Sequence, residues 1–358
     1  MNKIDIKSLS KSELGTKLTE LGDRSYRAQQ IFRWLYKVGA RSFNEMADLP
    51  LNLRELLKTS FHITHLVMLD SKKSSLDGSV KYLFKLEDAS SIEAVLLPEK
   101  NRNTACLSSQ VGCKYACSFC ASSLFGFVRN LAPSEILDEV IFLKEKFPSR
   151  NLTNLVFMGI GEGLDNYDNV LKAIRIFNDK DAFGIGARKI TISTCGLIPG
   201  IERLKSERLQ VELSVSLHSA SDHMRSKLVP INKKYPLKDL MAACKDYVRS
   251  TNRVITFEYI LIKGMNSSRQ DAADLAGLVC GLKCKVNTIS YNKVSPVRNM
   301  SASAVSNGVK AKDYEGPTAG EVKTFVRTLK SAGVNVTHRK SRGEDINAGC
   351  GQLRISRL

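Results

Sequence analysis

TACLSSQVGCKYACSFC, residues 104–120, decides the fold. Its opening TACLSS is a short apolar strand, and its continuation is a loop carrying Cys113, Cys117 and Cys120 in the spacing C-x3-C-x2-C, with Phe119 before the last of them. Downstream the same strand-then-helix rhythm repeats. NLVFMG, KITISTC, VELSVSLH, VITFEYILI, VNTISY and NVTHR have the composition of strands, and amphipathic stretches near 133–147, 166–179, 235–250, 268–282 and 318–332 have the period of helices. That βαβα order predicts an α/β protein with a parallel sheet, as an open wound sheet or a full or partial barrel.

Three cysteines within eight residues suit three corners of a 4Fe-4S cube, whereas an ordinary ferredoxin cluster takes four thiolates. A structural zinc site needs a fourth Cys or His close by and usually draws on C-x2-C or C-x4-C hairpins; no His lies between Leu66 and Leu217. Three buried core thiols are the remaining alternative, and they leave the spacing a coincidence. With three thiolates, one iron is left without a protein ligand. An open iron on such a cluster binds the amino and carboxylate groups of S-adenosylmethionine and passes an electron to its sulfonium, which is the signature of a radical S-adenosylmethionine (radical SAM) enzyme.

The 358 residues suffice for one large domain and a smaller one. No run of about 18 apolar residues and no signal-peptide pattern occurs, so a cytoplasmic protein without membrane attachment is expected. An odd count of nine cysteines, grouped for metal rather than for pairing, fits a reducing compartment. Lys and Arg number 54 against 36 Asp and Glu, a formal charge of +18; such an excess favours a polyanion, nucleic acid first, although basic charge also serves solubility.

Residues 1–95 read as an accessory unit and 96–358 as the core. In RAQQIFRWLYKVG, Ile31, Trp34, Leu35 and Val38 fall on one helical stripe, with a second helix expected from Leu51 to Thr59. THLVMLD, VKYLFKLE and IEAVLLP have strand character, joined by turns at 75–78 and 88–90. This basic beginning suits RNA docking, or simply a solvated face. The stretch 295–317 breaks the rhythm and is expected to be a long loop.

In parallel barrels chemistry gathers where strands finish. After the three-cysteine loop come Gly159-Ile160-Gly161-Glu162, Ser193-Thr194-Cys195-Gly196, Ser216-Leu217-His218 and Tyr291-Asn292, all expected at one mouth. The G-x-G-E turn is by itself a tight loop whose backbone could pair with an amino acid. Ser193, Ser216 and Asn292 offer short polar groups for ribose or adenine, and His218 serves equally as a packed second-layer histidine. Cys106 lies on the first strand, and Cys350 sits in GCGQL between Gly349 and Gly351, near Lys340 and Arg342, which favour a thiolate. Cys195, Cys244, Cys280 and Cys284 read as packing residues.

TACLSSQVGCKYACSFC, GFVRNL, VFMGIGEGLDNYDNVLKAI, ARKITISTCGLIPGI, VELSVSLHS, RSKLVPINKKYPL and SRGEDINAGCGQL together resemble the RlmN/Cfr family of radical SAM RNA methyltransferases, and most closely its RlmN branch. The resemblance runs from about residue 15 to the end. It implies a partial (β/α)6 barrel with an N-terminal helical and β-hairpin domain, and one 4Fe-4S cluster held by Cys113, Cys117 and Cys120. S-adenosylmethionine, two molecules per turnover, would be contacted by Gly161, Glu162, Ser193, Ser216, Leu217, His218 and Asn292. The resemblance further implies Cys350 as methyl carrier, Cys106 as its resolving partner through a transient disulfide, and Glu93 as proton acceptor. Implied partners are 23S rRNA at the peptidyl transferase centre, tRNA at adenosine 37, and a reductase such as flavodoxin, acting on a monomeric enzyme.

The chemistry explains the pair of cysteines: carbon 2 of adenine is electron-poor and does not attack a sulfonium methyl, so the methyl travels by way of a thiol. Methylation at carbon 8, as in the Cfr branch, is the alternative within the family. A basic RNA-binding protein with a structural metal and no catalysis is the alternative outside it. Four positions depart from the family pattern: Gly163 stands where Pro follows the G-x-G-E turn, Lys293 where Pro follows Asn, and Asn347 and Gly349 where the family has the Asp and the second Ala of Asp-Ala-Ala-Cys. The stretch 297–316 is longer than usual.

Overall fold

The computed structural model describes residues 3–147, 151–294 and 314–354. The expected long loop at 295–317 lies mostly outside them. The chain opens with β1 (Ile4–Asp5), α1 (Lys11–Glu20), α2 (Arg27–Phe32), α3 (Leu51–Ser60) and β2 (Phe61–His62), which pairs with β1. α1 starts at Ser10, whose hydroxyl accepts from the Glu13 amide while Glu13 returns a bond to the Ser10 amide; the sequence reading had left this helix out. α2 continues as a π-helical turn over Arg33–Val38. The wider turn shifts the phase of the stripe, so Ile31 and Leu35 are buried while Val38, expected inside, is 63% exposed.

A hairpin follows, β3 (Val67–Lys73), β4 (Val80–Lys85) and β5 (Ser91–Pro98), antiparallel throughout and joined through β5 to β6 (Asn103–Cys106). The expected domain boundary at residue 95 therefore falls within β5. β7 (Gln110–Gly112) and β8 (Phe127–Asn130) form a small hairpin around the cysteine loop, and α4 (Pro133–Lys146) returns the chain to the sheet. Then come β9 (Asn154–Phe157), α5 (Tyr167–Asn178), β10 (Ile190–Thr194), α6 (Ile198–Ser206), β11 (Glu212–Ser216), α7 (Asp222–Leu228), α8 (Leu237–Thr251), β12 (Ile255–Leu261), α9 (Arg269–Val279), β13 (Cys284–Ser290), α10 (Ala319–Ser331) and β14 (Val336–Arg339).

The ten strands run in the order β14-β13-β12-β11-β10-β9-β6-β5-β4-β3, parallel from β14 to β6. Six strand-helix units and a seventh parallel strand thus make a partial barrel, extended by the antiparallel hairpin. Alternation sets its two faces. Leu155, Phe157, Ile190, Ile192, Leu213, Val215, Phe257 and Tyr259 are buried, each such side chain contributing roughly 1.5–3 kcal/mol. The residues between them line a polar interior of ≈ 730 Å³ that includes Thr191, Ser214, Glu258, Asn287 and Arg339. Helices α6 and α7 were not anticipated: they are nine and seven residues long, too short for their period to stand out.

The N-terminal helices dock on the barrel through polar contacts. Lys11 bridges Asp179 and Asp181, at 2.7 and 3.0 Å. Lys7 is buried, bonded to the Asp138 carboxylate of α4 and to the Thr64 carbonyl. Burial pushes the Asp138 carboxyl up to about 7 against the pull of Lys7. Lys7→Met removes one partner and strands the other, so a loss of about 3–5 kcal/mol is expected, measurable by urea unfolding. Adding Asp138→Leu should recover most of it.

Candidate active site

The cysteine loop is clamped at both ends. The Cys113 amide donates to the Gly126 carbonyl at 2.9 Å, the Cys120 amide to Cys117 at 3.1 Å, and the Ser118 amide to Leu228 of α7 at 3.0 Å. Asp165, after the second parallel strand, accepts from Tyr115 at 2.9 Å and Gln110 at 2.9 Å and pairs with Lys114 at 2.8 Å. Cys113, Cys117 and Phe119 pack on an apolar cluster of Tyr115, Cys195, Leu228, Val229, Ile260, Ile262, Ile289 and Tyr291, drawn from several strand ends. Burial pushes the Cys113 thiol up to about 12 and those of Cys117 and Cys120 in the same direction; Cys117 also feels the charge of the other two.

Among the described residues no three His, Cys, Asp or Glu side chains are placed to hold a single metal ion. Three thiols on one loop do not by themselves make a tetrahedral zinc site, which takes four donors. They fit a polynuclear cube, in which each thiolate serves a different iron.

The other strand ends converge on this loop. Gly161, at φ +104°, lies so close to Gln110 that a Cβ would stand 2.6 Å from the Gln110 Cβ, so the turn requires glycine. The Glu162 carboxylate is buried, its oxygens accepting from the Cys195 amide at 2.7 Å and the Leu164 amide at 3.2 Å. Glu162 thereby ties the second strand end to the third. Ser193 and Ser216 lie on β10 and β11, and Leu217 donates its amide to the Glu258 carbonyl at 3.0 Å. The His218 ring meets Phe119 edge-on at 4.7 Å. Asn292 is buried, its Nδ2 donating to the Cys350 carbonyl at 3.3 Å and its Oδ1 accepting from Ser341 at 2.6 Å.

The C-terminal segment packs directly on the cysteine loop. The Ala121 amide donates to the Gly351 carbonyl at 2.7 Å and the Ser122 hydroxyl to the Leu353 carbonyl at 2.7 Å. Gly349 needs no side chain here, because a Cβ would stand 2.7 Å from the Asn292 Nδ2. Cys106 and Cys350 are free thiols on the wall of the same interior cavity, each sensing nearby charge. Burial raises both, and Arg339 of β14 opposes the rise at each. The cation acting on Cys350 is thus Arg339, not Lys340 or Arg342 as the sequence suggested; Arg342 is turned away to the carbonyls of Asp77 and Pro98.

Glu93 stands apart. It lies buried on β5, paired with Lys81 at 2.9 Å and accepting from the Arg354 amide at 3.0 Å, and it is not part of the cavity wall. Cys195 and Cys244 are buried as expected, but Cys280, which follows α9 at the turn into β13, is exposed.

Comparison with known proteins settles the family. The Radical SAM superfamily model matches residues 107–276, and the model of the ribosomal RNA large subunit methyltransferase N-terminal domain matches residues 4–63. A probable dual-specificity RNA methyltransferase RlmN of Thermoanaerobacter sp. (strain X514) is 42% identical over 98% of this chain and 97% of its own. The chain belongs to the RlmN family of radical SAM RNA methyltransferases. Its RlmN relative from Bacillus cereus (strain B4264) is 44% identical over 99% of this chain and 94% of its own. The crystal structure of a radical SAM methyltransferase from Sphaerobacter thermophilus superimposes with a TM-score of 0.89 at 39% identity, covering 98% of this chain and 99% of that one.

Two residues of this RlmN-family site escaped the sequence reading. Arg225 is fully buried, donating to the Cys195 carbonyl at 2.7 Å, the Leu217 carbonyl at 3.1 Å and Asn232 at 2.7 Å. It stitches the third and fourth strand ends together beneath the cysteine loop. Asn266 does the same for the fifth, donating to the carbonyls of His218 and Ile260, both at 2.7 Å. An arginine amid RSKLVPINKK looks like one more surface charge, and only tertiary structure shows otherwise.

His218 accepts the Ile260 amide on Nδ1 at 3.0 Å, so its proton sits on Nε2. Burial, helped by Arg225, lowers its pKa to about 3. An unfolded imidazole titrates near 6.5, so the unfolded state binds the extra proton first. The stabilisation from His218 is therefore complete above about pH 6.5 and is lost as pH falls from there toward 3. His218→Asn is expected to flatten the decline of the thermal midpoint between pH 7 and pH 5. An identical slope in the variant would place the acid sensitivity elsewhere.

Proposed function

We propose that this enzyme methylates carbon 2 of an adenosine at the peptidyl transferase centre of 23S rRNA and of adenosine 37 in tRNAs, by way of a methyl group carried on Cys350. The observation that carries this reading is the placement of Cys350 and Cys106 as free thiols on one cavity, with the Cys350 segment bonded to the three-cysteine loop. A methyltransferase acting on a nucleophilic atom needs neither thiol.

Cys113, Cys117 and Cys120 would hold the cluster, and Gly161, Glu162, Ser193, Ser216, Leu217, His218 and Asn292 surround the place for S-adenosylmethionine. Bound there, the two would supply a methyl group and, from a second S-adenosylmethionine cleaved with an electron from a flavodoxin-type reductase, a radical that removes hydrogen. Cys350 takes the methyl group on its sulfur, presents it to the base, and is left joined to carbon 2 through the resulting methylene. Glu93 accepts the proton lost from carbon 2, while the odd electron of the adduct would pass back to the cluster. Because Glu93 now holds the Arg354 amide, the C-terminal segment must move for it to do so. The Cys106 thiolate attacks the Cys350 sulfur, a disulfide forms as the carbon–sulfur bond breaks, the freed methylene takes up a proton to become methyl, and the methylated base leaves. Cellular thiols reduce the disulfide. The basic N-terminal unit and the formal charge of +18 would hold the RNA.

Nucleoside mass spectrometry of rRNA and tRNA from cells with and without the gene tests the reading. Loss of 2-methyladenosine from both is expected. Loss of 8-methyladenosine alone would instead assign the Cfr-type position.

A further inference from the structure

Inside the barrel, Glu258 shares the cavity wall with the two thiols, and its one ion-pair contact, to Arg339, is long. Glu258 of β12 accepts from the Asn287 Nδ2 at 3.0 Å and bonds to Ser214, while Arg339 stands 3.8 Å away. Three other acids on the wall are paired elsewhere: Glu212 with Arg253 at 2.5 Å, Glu99 with Arg102 at 3.1 Å, and Asp77 with the Gly343 amide at 2.9 Å. Strand register fixes the position of Glu258. It pairs laterally with Ser216, the last residue of β11, on one side and with Asn287 of β13 on the other. Cys350 senses its charge.

Glu258 and Asn287 are both half-buried, and a carboxylate beside an amide is an acceptor next to a donor. An adenine edge offers the complement, an exocyclic amine next to a ring nitrogen, while guanine presents an oxygen at the same place. Asn287 spends one Nδ2 hydrogen on Glu258 and has a second to give. A cavity of ≈ 730 Å³ lies within the range that encloses a small molecule or a flipped nucleoside.

We propose that Glu258 and Asn287 are the base-recognition pair of this enzyme, Glu258 accepting from the adenine amine and Asn287 donating to the adjacent ring nitrogen, so that carbon 2 is presented to Cys350. This inference rests on adenine in RNA being the substrate.

The test compares two anticodon stem-loop RNAs, one with adenosine and one with purine riboside, which lacks the amine, at the target position. The reconstituted full-length wild type is expected to prefer adenosine by about 10- to 100-fold in kcat/KM. In Glu258→Gln the adenosine rate should fall toward the purine rate, compressing the preference below about 3-fold. Asn287→Ser, a smaller change that keeps the carboxylate, should compress it as well and stands alone if the first variant fails to fold. If either folded variant lowers both substrates by one common factor, the row serves the fold or the cofactor end and the proposal is overturned. If the wild type methylates neither RNA, the reading of the preceding subsection fails and this inference falls with it.

Discussion

Cys106→Ala is expected to turn the enzyme into its own trap, with RNA covalently attached to Cys350 and multiple-turnover methylation reduced by about 10³-fold or more. The structure supplies the reason. Cys106 and Cys350 are the thiols on the cavity wall, so once Cys350 is joined to the base no lining residue other than Cys106 offers a thiol to cleave the link. Denaturing gels should show a nuclease-sensitive species heavier than the protein, and digestion should leave a nucleotide on the peptide containing Cys350. Cys350→Ala should show neither the species nor product. A metal-stabilised RNA-binding protein predicts no effect from either change. A Cys106→Ala protein that turns over normally and carries no RNA would remove Cys106 from the reaction.

Cys117→Ala is expected to abolish the chemistry by another route. The wild type, reconstituted anaerobically with iron and sulfide, should hold about four irons per chain and turn brown, whereas the variant should hold few or none and form no product. Cys117 is the middle thiol, coupled to both neighbours and wrapped in the apolar cluster of the strand ends. RNA affinity, measured at fixed salt, should change by less than about 2-fold, because binding draws on surface cations elsewhere. One zinc per chain and no iron in the wild type would refute the assignment of the loop.

The elements that carry the site were largely legible in the sequence. Strand alternation located all seven parallel strands, because a residue such as Val215 faces the helices while Ser214 and Ser216 face inward, a period of two that survives any tertiary context. The cysteine loop was legible because three cysteines lie within eight residues. What could not be read depends on contacts between distant segments. The burial of Arg225 is settled by the carbonyls of Cys195 and Leu217, and the row of Ser216, Glu258 and Asn287 by register across three strands. The π-helical turn that exposes Val38 leaves no mark on a 3.6-residue pattern. Glu93 matches a family position, yet only the structure shows it gripping the Arg354 amide.

The sheet does not close on itself: β14 ends one side and β3 the other. The gap is laced by the C-terminal segment, where Asp345 takes the Ser75 amide at 3.0 Å and Lys81 reaches the Asn347 carbonyl at 3.1 Å on the hairpin side, while Asn292 holds Cys350 on the far side. The thread that sews the molecule shut is therefore also the segment that carries Cys350. On the proposed carrier role, each swing of that segment would unpick part of the suture, and the pace of the enzyme and the integrity of its wall would be set by the same few stitches.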